Sequence, residues 1–409
     1  MPTIFPSQPY KGTRDFFPGS GQFSTIPADL HDFRRQKWMF DRFRKILTQF
    51  GFQEYSSSLI ESAEVFVAKS GEDLGGNQLY NFIDKGERRI ALRPELTLSV
   101  ARMVADKYEQ LRFPLRWFSI DNCFRYERPQ KGRLREFWQT EINIIGAGAG
   151  AADLEIMNLV VELFKGFGAK SDQYVVRYNH RVLLDKWLAS NNWTKFQTQI
   201  FGILDSWAKN LITESQKQLA EFLKSEDVDK IMQMATQKGP EWLKYQELAA
   251  SIPELQLILQ TLPVIQPGAL VIFDPTIIRG QAYYTGLIFE AFDTNLTNNR
   301  SLYGGGRFDD LLDLFGKKKT PAVGLAPGDT SLAEFLSGWN LWPDFDENTL
   351  EKIGILPFNQ DGLVTIYQQI LPRLVAKGQT WDIDYDFDRN PNKRRESLIK
   401  RGCKEIVEV

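Results

Sequence analysis

The sequence predicts an α+β protein: an antiparallel sheet flanked by helices, a helical insertion, and a small α/β domain towards the C-terminus. Three patterns carry this expectation. Residues Phe118–Ile145 alternate apolar and polar on both sides of a basic loop, Arg128–Arg133, as an antiparallel hairpin does. From about Asp172 the composition shifts: a short strand, Tyr174–Tyr178, precedes helices rich in Lys, Gln and Glu that run to about Pro263. Beyond a linker at Pro343–Asn348, strand-like KIGILPF, a helix over Leu363–Lys377, strand-like TWDIDYDF, a basic helix over Asn392–Arg401 and CKEIVEV follow in β-α-β-α-β order, the order of a parallel sheet. The implied divisions are 1–171 and 264–343 for the two parts of the core, 172–263 for the insertion and 349–409 for the last domain.

Taken in chain order, Asp29–Phe52 has the apolar period of an amphipathic helix and leads into a strand in SSSLIESAEVF. LRPELTLSVAR, Leu92–Arg102, turns from strand to helix behind Pro94, which puts Glu95 and Thr97 at the junction. There a carboxylate can hold an ammonium group with a hydroxyl in support, although plain helix capping suits both residues equally. In the hairpin, period two places Arg135, Phe137, Gln139, Glu141 and Asn143 on one face of the second strand, and Arg125 with Glu127 on one face of the first. Such a face makes a poor core and a good small-molecule site, and a solvated sheet face has the same pattern. In RGQAYYTGLIFEAF, Tyr283 and Tyr284 precede a strand that starts after Gly286, and ordinary core packing accounts for them as well. SLYGGGRFDDLLDLFG sets Gly304–Gly306 ahead of an amphipathic helix, as pocket-lining backbone or as a turn.

Arg125 and Arg279 are the most informative side chains, expected to face each other across a glycine-lined floor. Each guanidinium fork suits phosphate or carboxylate oxygens. A lone buried arginine is more commonly a structural ion-pair partner, but the polar, aromatic neighbourhood points to phosphate chemistry.

Composition sets bounds. Across 409 residues, 50 basic side chains meet 52 acidic ones, so no global field favours nucleic acid and any RNA contact has to be local. Cys123 and Cys403 make neither a disulfide framework nor a metal cluster, no protein metal site is expected, and no apolar run approaches membrane-spanning length. MPTIFPSQPY has no signal-peptide pattern, which sets the expectation of a reduced cytoplasmic compartment. His31 and His180 lack any nucleophile or metal-ligand pattern and read as surface or packing residues.

With these segments in place, the chain resembles the class II aminoacyl-tRNA synthetases, and among them the histidyl-tRNA synthetases. KGTRDFFP, Lys11–Pro18, is similar to that family's N-terminal signature, FRYERPQKGRLREFWQ to its motif 2, LRPELT to its amino-acid-binding segment, and RGQAYYTG and GGGRFDDLL to its two histidine-specific motifs, all in family order. The resemblance runs from about Lys11 to about Pro343. It implies a ligase that takes L-histidine, ATP with Mg²⁺ and tRNA(His), works as a homodimer through motif 1, and has no membrane partner. It further implies that Glu95 and Thr97 hold the α-amino group with Gln139, and that Tyr283 and Tyr284 line the imidazole pocket. Arg125 contacts the α-phosphate and the substrate carboxylate, with Glu127, Arg135 and Phe137 on ATP, Phe137 stacking on the adenine. Arg279 lies beside the α-phosphate. Residues 349–409 resemble the start of an anticodon-binding domain that looks truncated, with Lys393, Arg394, Arg395, Lys400 and Arg401 as phosphate contacts or as a solvated face.

The chain departs from the family pattern at four places. Ser331 stands where motif 3 carries an arginine, next to Asp329; Ser58 replaces the motif 1 proline; Asn143 stands where a carboxylate is usual; and the tail is short. Two other readings therefore stand beside the ligase: the non-catalytic regulatory subunit of ATP phosphoribosyltransferase, and an RNA-binding or scaffolding relative without chemistry.

Overall fold

The computed structural model describes residues 7–17, 32–67, 73–130, 132–207, 212–236, 240–278, 283–295, 301–345 and 352–409. The chain divides into two compact units, Met1–Arg14 with Met39–Leu341, and Asp15–Trp38 with Trp342–Val409.

In the first unit β1 (Gln53–Glu54) belongs to the large sheet, whereas β2 (Ile60–Ser62), β3 (Asn81–Ile83) and β4 (Arg89–Leu92) form a separate sheet in the order β2-β4-β3. The expected hairpin is present as β5 (Leu115–Phe124) and β6 (Glu136–Ile145), paired in continuous register from Leu115↔Ile145 to Phe124↔Glu136. β7 (Tyr174–His180), β8 (Val271–Phe273), β9 (Leu287–Asp293), β10 (Ser301–Arg307) and β11 (Ala322–Leu325) complete eight strands in the order β1-β5-β6-β11-β10-β9-β7-β8. Only the two outermost pairs, β1 with β5 and β7 with β8, are parallel. Helix Ala151–Gly166 covers this sheet through its apolar side, where Phe164 stacks on Tyr174 at 3.9 Å and on Tyr303 at 4.6 Å between centroids. Burial of the Phe164 side chain contributes about 1.5–3 kcal/mol.

Two expectations are corrected. Tyr174–Tyr178, assigned to the head of the insertion, lies in β7, which pairs with β9 along its whole length inside the large sheet. Of the two readings of Gly304–Gly306 the turn fails, since they lie within β10, and the helix expected after them is a single 3-10 turn, Leu312–Phe315. Close packing is the reason: a Cβ on Gly305 would stand 2.5 Å from Phe289 Cζ and 2.9 Å from Leu325 Cα. Between β7 and β8 the described residues form six α-helices around Trp187, Trp193 and Tyr245, and Tyr245 ties them to the sheet by donating to Asn179 Oδ1 at 2.8 Å. Among the described residues no single helix is long and apolar enough to cross a membrane.

In the second unit β12 (Lys352–Leu356), β13 (Thr380–Ile383) and β14 (Glu405–Glu408) form the expected parallel sheet, ordered β13-β12-β14. Period two on β12 sends Ile353 and Ile355 towards Ile366 and Leu374, and Leu356 towards Leu398 and Cys403. The basic helix, Pro391–Lys400, differs from a phosphate-binding face. Arg394 is 1% exposed and donates from Nε to Asp384 Oδ1 at 2.8 Å, Arg395 pairs with Glu408 at 2.5 Å, and Arg401 pairs with Asp382 and Asp384 at 2.9 and 3.1 Å. These arginines brace the sheet, and of the five basic residues Lys393 and Lys400 stand outside those pairs.

Candidate active site

Register lines up Trp117, Asn143, Gly324 and Gly306 across β5, β6, β11 and β10. The two glycines let neighbouring groups close directly onto this stretch of floor. A Cβ on Gly324 would collide with Asn143 Oδ1, and one on Gly306 would lie 2.8 Å from the Tyr284 ring.

Over this floor stands the junction between β4 and helix Thr97–Asp106. Thr97 does not cap its helix: the hydroxyl donates across the site to Glu141 Oε1 at 2.9 Å, and the N-cap residue, Leu96, makes no side-chain bond. Asn143 Nδ2 donates to the same Glu141 oxygen at 3.2 Å, and Tyr283 donates its hydroxyl to Glu95 Oε2 at 3.1 Å. Glu95, Thr97, Glu141, Asn143 and Tyr283 are all buried. Burial pushes the Glu141 carboxyl up to about 8; the hydrogen bonds from Thr97 and Asn143 pull against it, and the charge of Glu95 adds to the rise. Tyr283 and Tyr284 pack at 4.8 Å between centroids. Gln139 lies one step along the same face, its Oε1 3.6 Å from Cys123 Sγ.

The hairpin mouth carries the cations. Arg125 donates from Nε to Pro94 O at 2.8 Å and lies over the Phe137 ring at 4.9 Å. Glu127 pairs with Arg133 at 2.9 Å. Arg135 donates to Glu127 O at 3.0 Å and to the Tyr10 hydroxyl at 3.1 Å, with the Tyr126 ring 4.1 Å away. The N-terminal signature thus braces the hairpin, since Gly12 O also accepts from Arg135 N at 2.7 Å. Arg14 forms a buried ion pair with Asp329, whose other oxygen accepts from Trp138 N at 3.0 Å. Ser331 spends its hydroxyl on Leu302 O and Gly328 O, at 3.3 and 3.2 Å.

Six side chains foreseen from the sequence, Glu95, Thr97, Gln139, Asn143, Tyr283 and Tyr284, therefore gather around one floor, with Arg125, Glu127, Arg135 and Phe137 at its mouth. Arg279 and His31 lie outside the described residues. Glu141 carried no role in the sequence reading, and its only signal was its place on the same strand face. His180 is a buried framework residue, held neutral by burial that lowers its pKa to about 4. Among the described residues no group of three His, Cys, Asp or Glu side chains is placed to hold a metal ion. Chemically, the arrangement offers buried carboxyl groups to a cationic or N–H-bearing ligand and a guanidinium to an anionic one, at two ends of a single junction.

Comparison with known proteins agrees. A family model for histidyl-tRNA synthetase matches residues 28–328. The histidine–tRNA ligase of Leptospira biflexa is 38% identical, over 85% of this chain and 78% of its own length. The chloroplastic/mitochondrial histidine–tRNA ligase of Arabidopsis thaliana is 32% identical, over 92% of this chain and 74% of its own. A solved structure described as an ATP phosphoribosyltransferase regulatory subunit/histidyl-tRNA synthetase from Bacillus halodurans superposes with a TM-score of 0.77 at 21% identity, covering 100% of this chain and 99% of that one. The histidyl-tRNA synthetase of Nostoc gives 0.74 at 21% identity, covering 99% and 92%. The two structures establish the class II fold, a central sheet flanked by helices, and the extent of the sequence matches establishes that this chain belongs to the histidyl-tRNA synthetase family.

Proposed function

We propose that this protein is a histidine–tRNA ligase: it activates L-histidine with ATP, brought in with Mg²⁺, to histidyl-adenylate and passes the histidyl group to tRNA(His). One observation carries the reading. Arg125 is anchored on the carbonyl of Pro94, the residue before Glu95, so a cation for phosphate and a carboxylate for the α-ammonium are held at one junction. In the reaction a histidine carboxylate oxygen attacks the α-phosphorus and the bond to pyrophosphate breaks. No protein nucleophile is required, and catalysis comes from positioning and positive charge. Glu95 and Thr97 would hold the ammonium group with Gln139, Arg125 and Arg279 the carboxylate and α-phosphate, and Glu127, Arg135 and Phe137 the adenosine end of ATP, in a cytoplasmic setting.

Pyrophosphate exchange with each amino acid tests this, and histidine alone is expected to support it. Histidine binding without exchange would favour the second reading, a regulatory subunit of ATP phosphoribosyltransferase. The observation behind that alternative is Ser331, whose hydroxyl donates to the backbone carbonyls of Leu302 and Gly328 where the family resemblance expects an arginine. Glu95→Gln is expected to weaken histidine binding by roughly 1.5–3 kcal/mol, the value of a hydrogen bond to a charged group. Calorimetry showing unchanged affinity would mean that Glu95 does not hold the ammonium group.

We also infer a homodimer. Leu59, Ile60, Phe82 and Ile83, on or beside the β2-β4-β3 sheet, are exposed apolar residues that a two-fold partner would cover. Sedimentation at micromolar concentration should give twice the chain mass, and a monomer would count against it.

A further inference from the structure

Among the described residues, two buried side-chain oxygens on the floor of the site have no hydrogen-bond partner, Glu141 Oε2 and Asn143 Oδ1. Their residues are 2% and 0% exposed. An unpaired buried acceptor costs about 1–3 kcal/mol, and two on one strand face call for a ligand that satisfies them. The other polar atoms of both groups are already engaged, because Thr97 and Asn143 Nδ2 both donate to Glu141 Oε1 at 2.9 and 3.2 Å. With its N–H group turned to Glu141, the Asn143 amide directs its oxygen over the bare backbone of Gly324. The next glycine in register, Gly306, lies under the Tyr284 ring. The Asn143 oxygen thus lies against Gly324, one position in register from the glycine that the Tyr284 ring covers.

We propose that Glu141 is the specificity-determining residue for the substrate side chain, pairing with Asn143 to bind both nitrogens of an imidazole ring. The inference rests on the histidine-activating reading above and deepens it. Asn143 alone brings one free acceptor and no charge, so it can satisfy one ring N–H and nothing more. Glu141, two residues earlier on the same face, supplies the second contact in either protonation state. A protonated carboxyl donates its O–H to the bare nitrogen of a neutral imidazole; an ionised one accepts an N–H from imidazolium. In both cases a single proton is shared between carboxyl and ring. Burial that lifts the carboxyl towards the range where imidazole titrates makes that sharing even-handed. An amino acid without a matching pair of nitrogens leaves one oxygen unpaired, which is the kind of penalty that gives strong discrimination.

The test is calorimetry on the full chain with L-histidine and with histidine methylated on either ring nitrogen. The wild type is expected to bind both methylated forms at least about 10²-fold more weakly than histidine. Glu141→Gln, which keeps an acceptor for Thr97, and Asn143→Ala are each expected to shrink that ratio by about 10-fold or more. A structural role alone would change stability and not the ratio. Wild-type discrimination in Glu141→Gln overturns the inference and leaves histidine activation standing, whereas a wild type that binds no histidine overturns both. Should Glu141→Gln not fold, the ratio in Asn143→Ala decides.

Discussion

Arg279→Ala is expected to lower histidine-dependent pyrophosphate exchange by about 10²-fold or more, the loss seen when a preorganised donor to developing charge is removed. As pyrophosphate leaves, negative charge gathers around the α-phosphorus, and the guanidinium groups assigned to it are Arg125 and Arg279. Arg125 has one N–H committed to Pro94 O and its plane over Phe137, so its position is preset. The second cation, Arg279, is the one proposed from the family resemblance. Histidine affinity should fall much less, because the ammonium and ring contacts proposed above are assigned to other residues. Near-normal exchange by this variant would remove the catalytic role of Arg279 and favour the regulatory-subunit reading.

Arg307→Met is expected to destabilise the first unit by about 3–5 kcal/mol, because it leaves a buried carboxylate uncompensated. Arg307 donates from Nε to both oxygens of Asp153, at 2.9 and 3.1 Å, and from Nη1 to Asp309 at 2.9 Å, and both members of the first pair are buried. Asp153 also accepts from Gly150 N at 2.7 Å and so starts helix Ala151–Gly166. The Arg307 carbonyl accepts from Thr285 N at 2.8 Å, which links the pair to the residue after Tyr284. The variant should therefore lose stability in denaturant titration and also weaken histidine binding. Burial already raises the Asp153 carboxyl, with Arg307 opposing it. Without Arg307 the carboxyl is raised further, so the loss should be full above its new pKa and shrink as falling pH protonates it. Arg307→Met combined with Asp153→Leu should recover part of the loss, since no buried charge is then unpaired. A cost below about 1 kcal/mol for the single variant would show that the pair is not what holds these strands to the helix.

The β5-β6 hairpin and the parallel sheet of the second unit were legible in the sequence because period two and the β-α-β order are local signals. The glycine run of β10 was not. Glycine has no side-chain preference to announce a strand, and its conformation follows from the Phe289 ring and the β11 backbone that close upon it. Arg394 reads as one more surface charge in a basic helix until Asp384 is seen to bury it.

The sequence by itself determined the order of elements, the motifs that mark the family, and the strand face on which Gln139, Glu141 and Asn143 stand together, since each depends on spacing along the chain. Only the tertiary structure decided that Thr97 serves Glu141 rather than its own helix, that Arg307 holds Asp153, and that Glu141 and Asn143 keep one oxygen each unpaired. Those partners lie 44 and 154 residues apart for the first two, and pairing and burial are settled by which distant atoms the fold brings within hydrogen-bond reach.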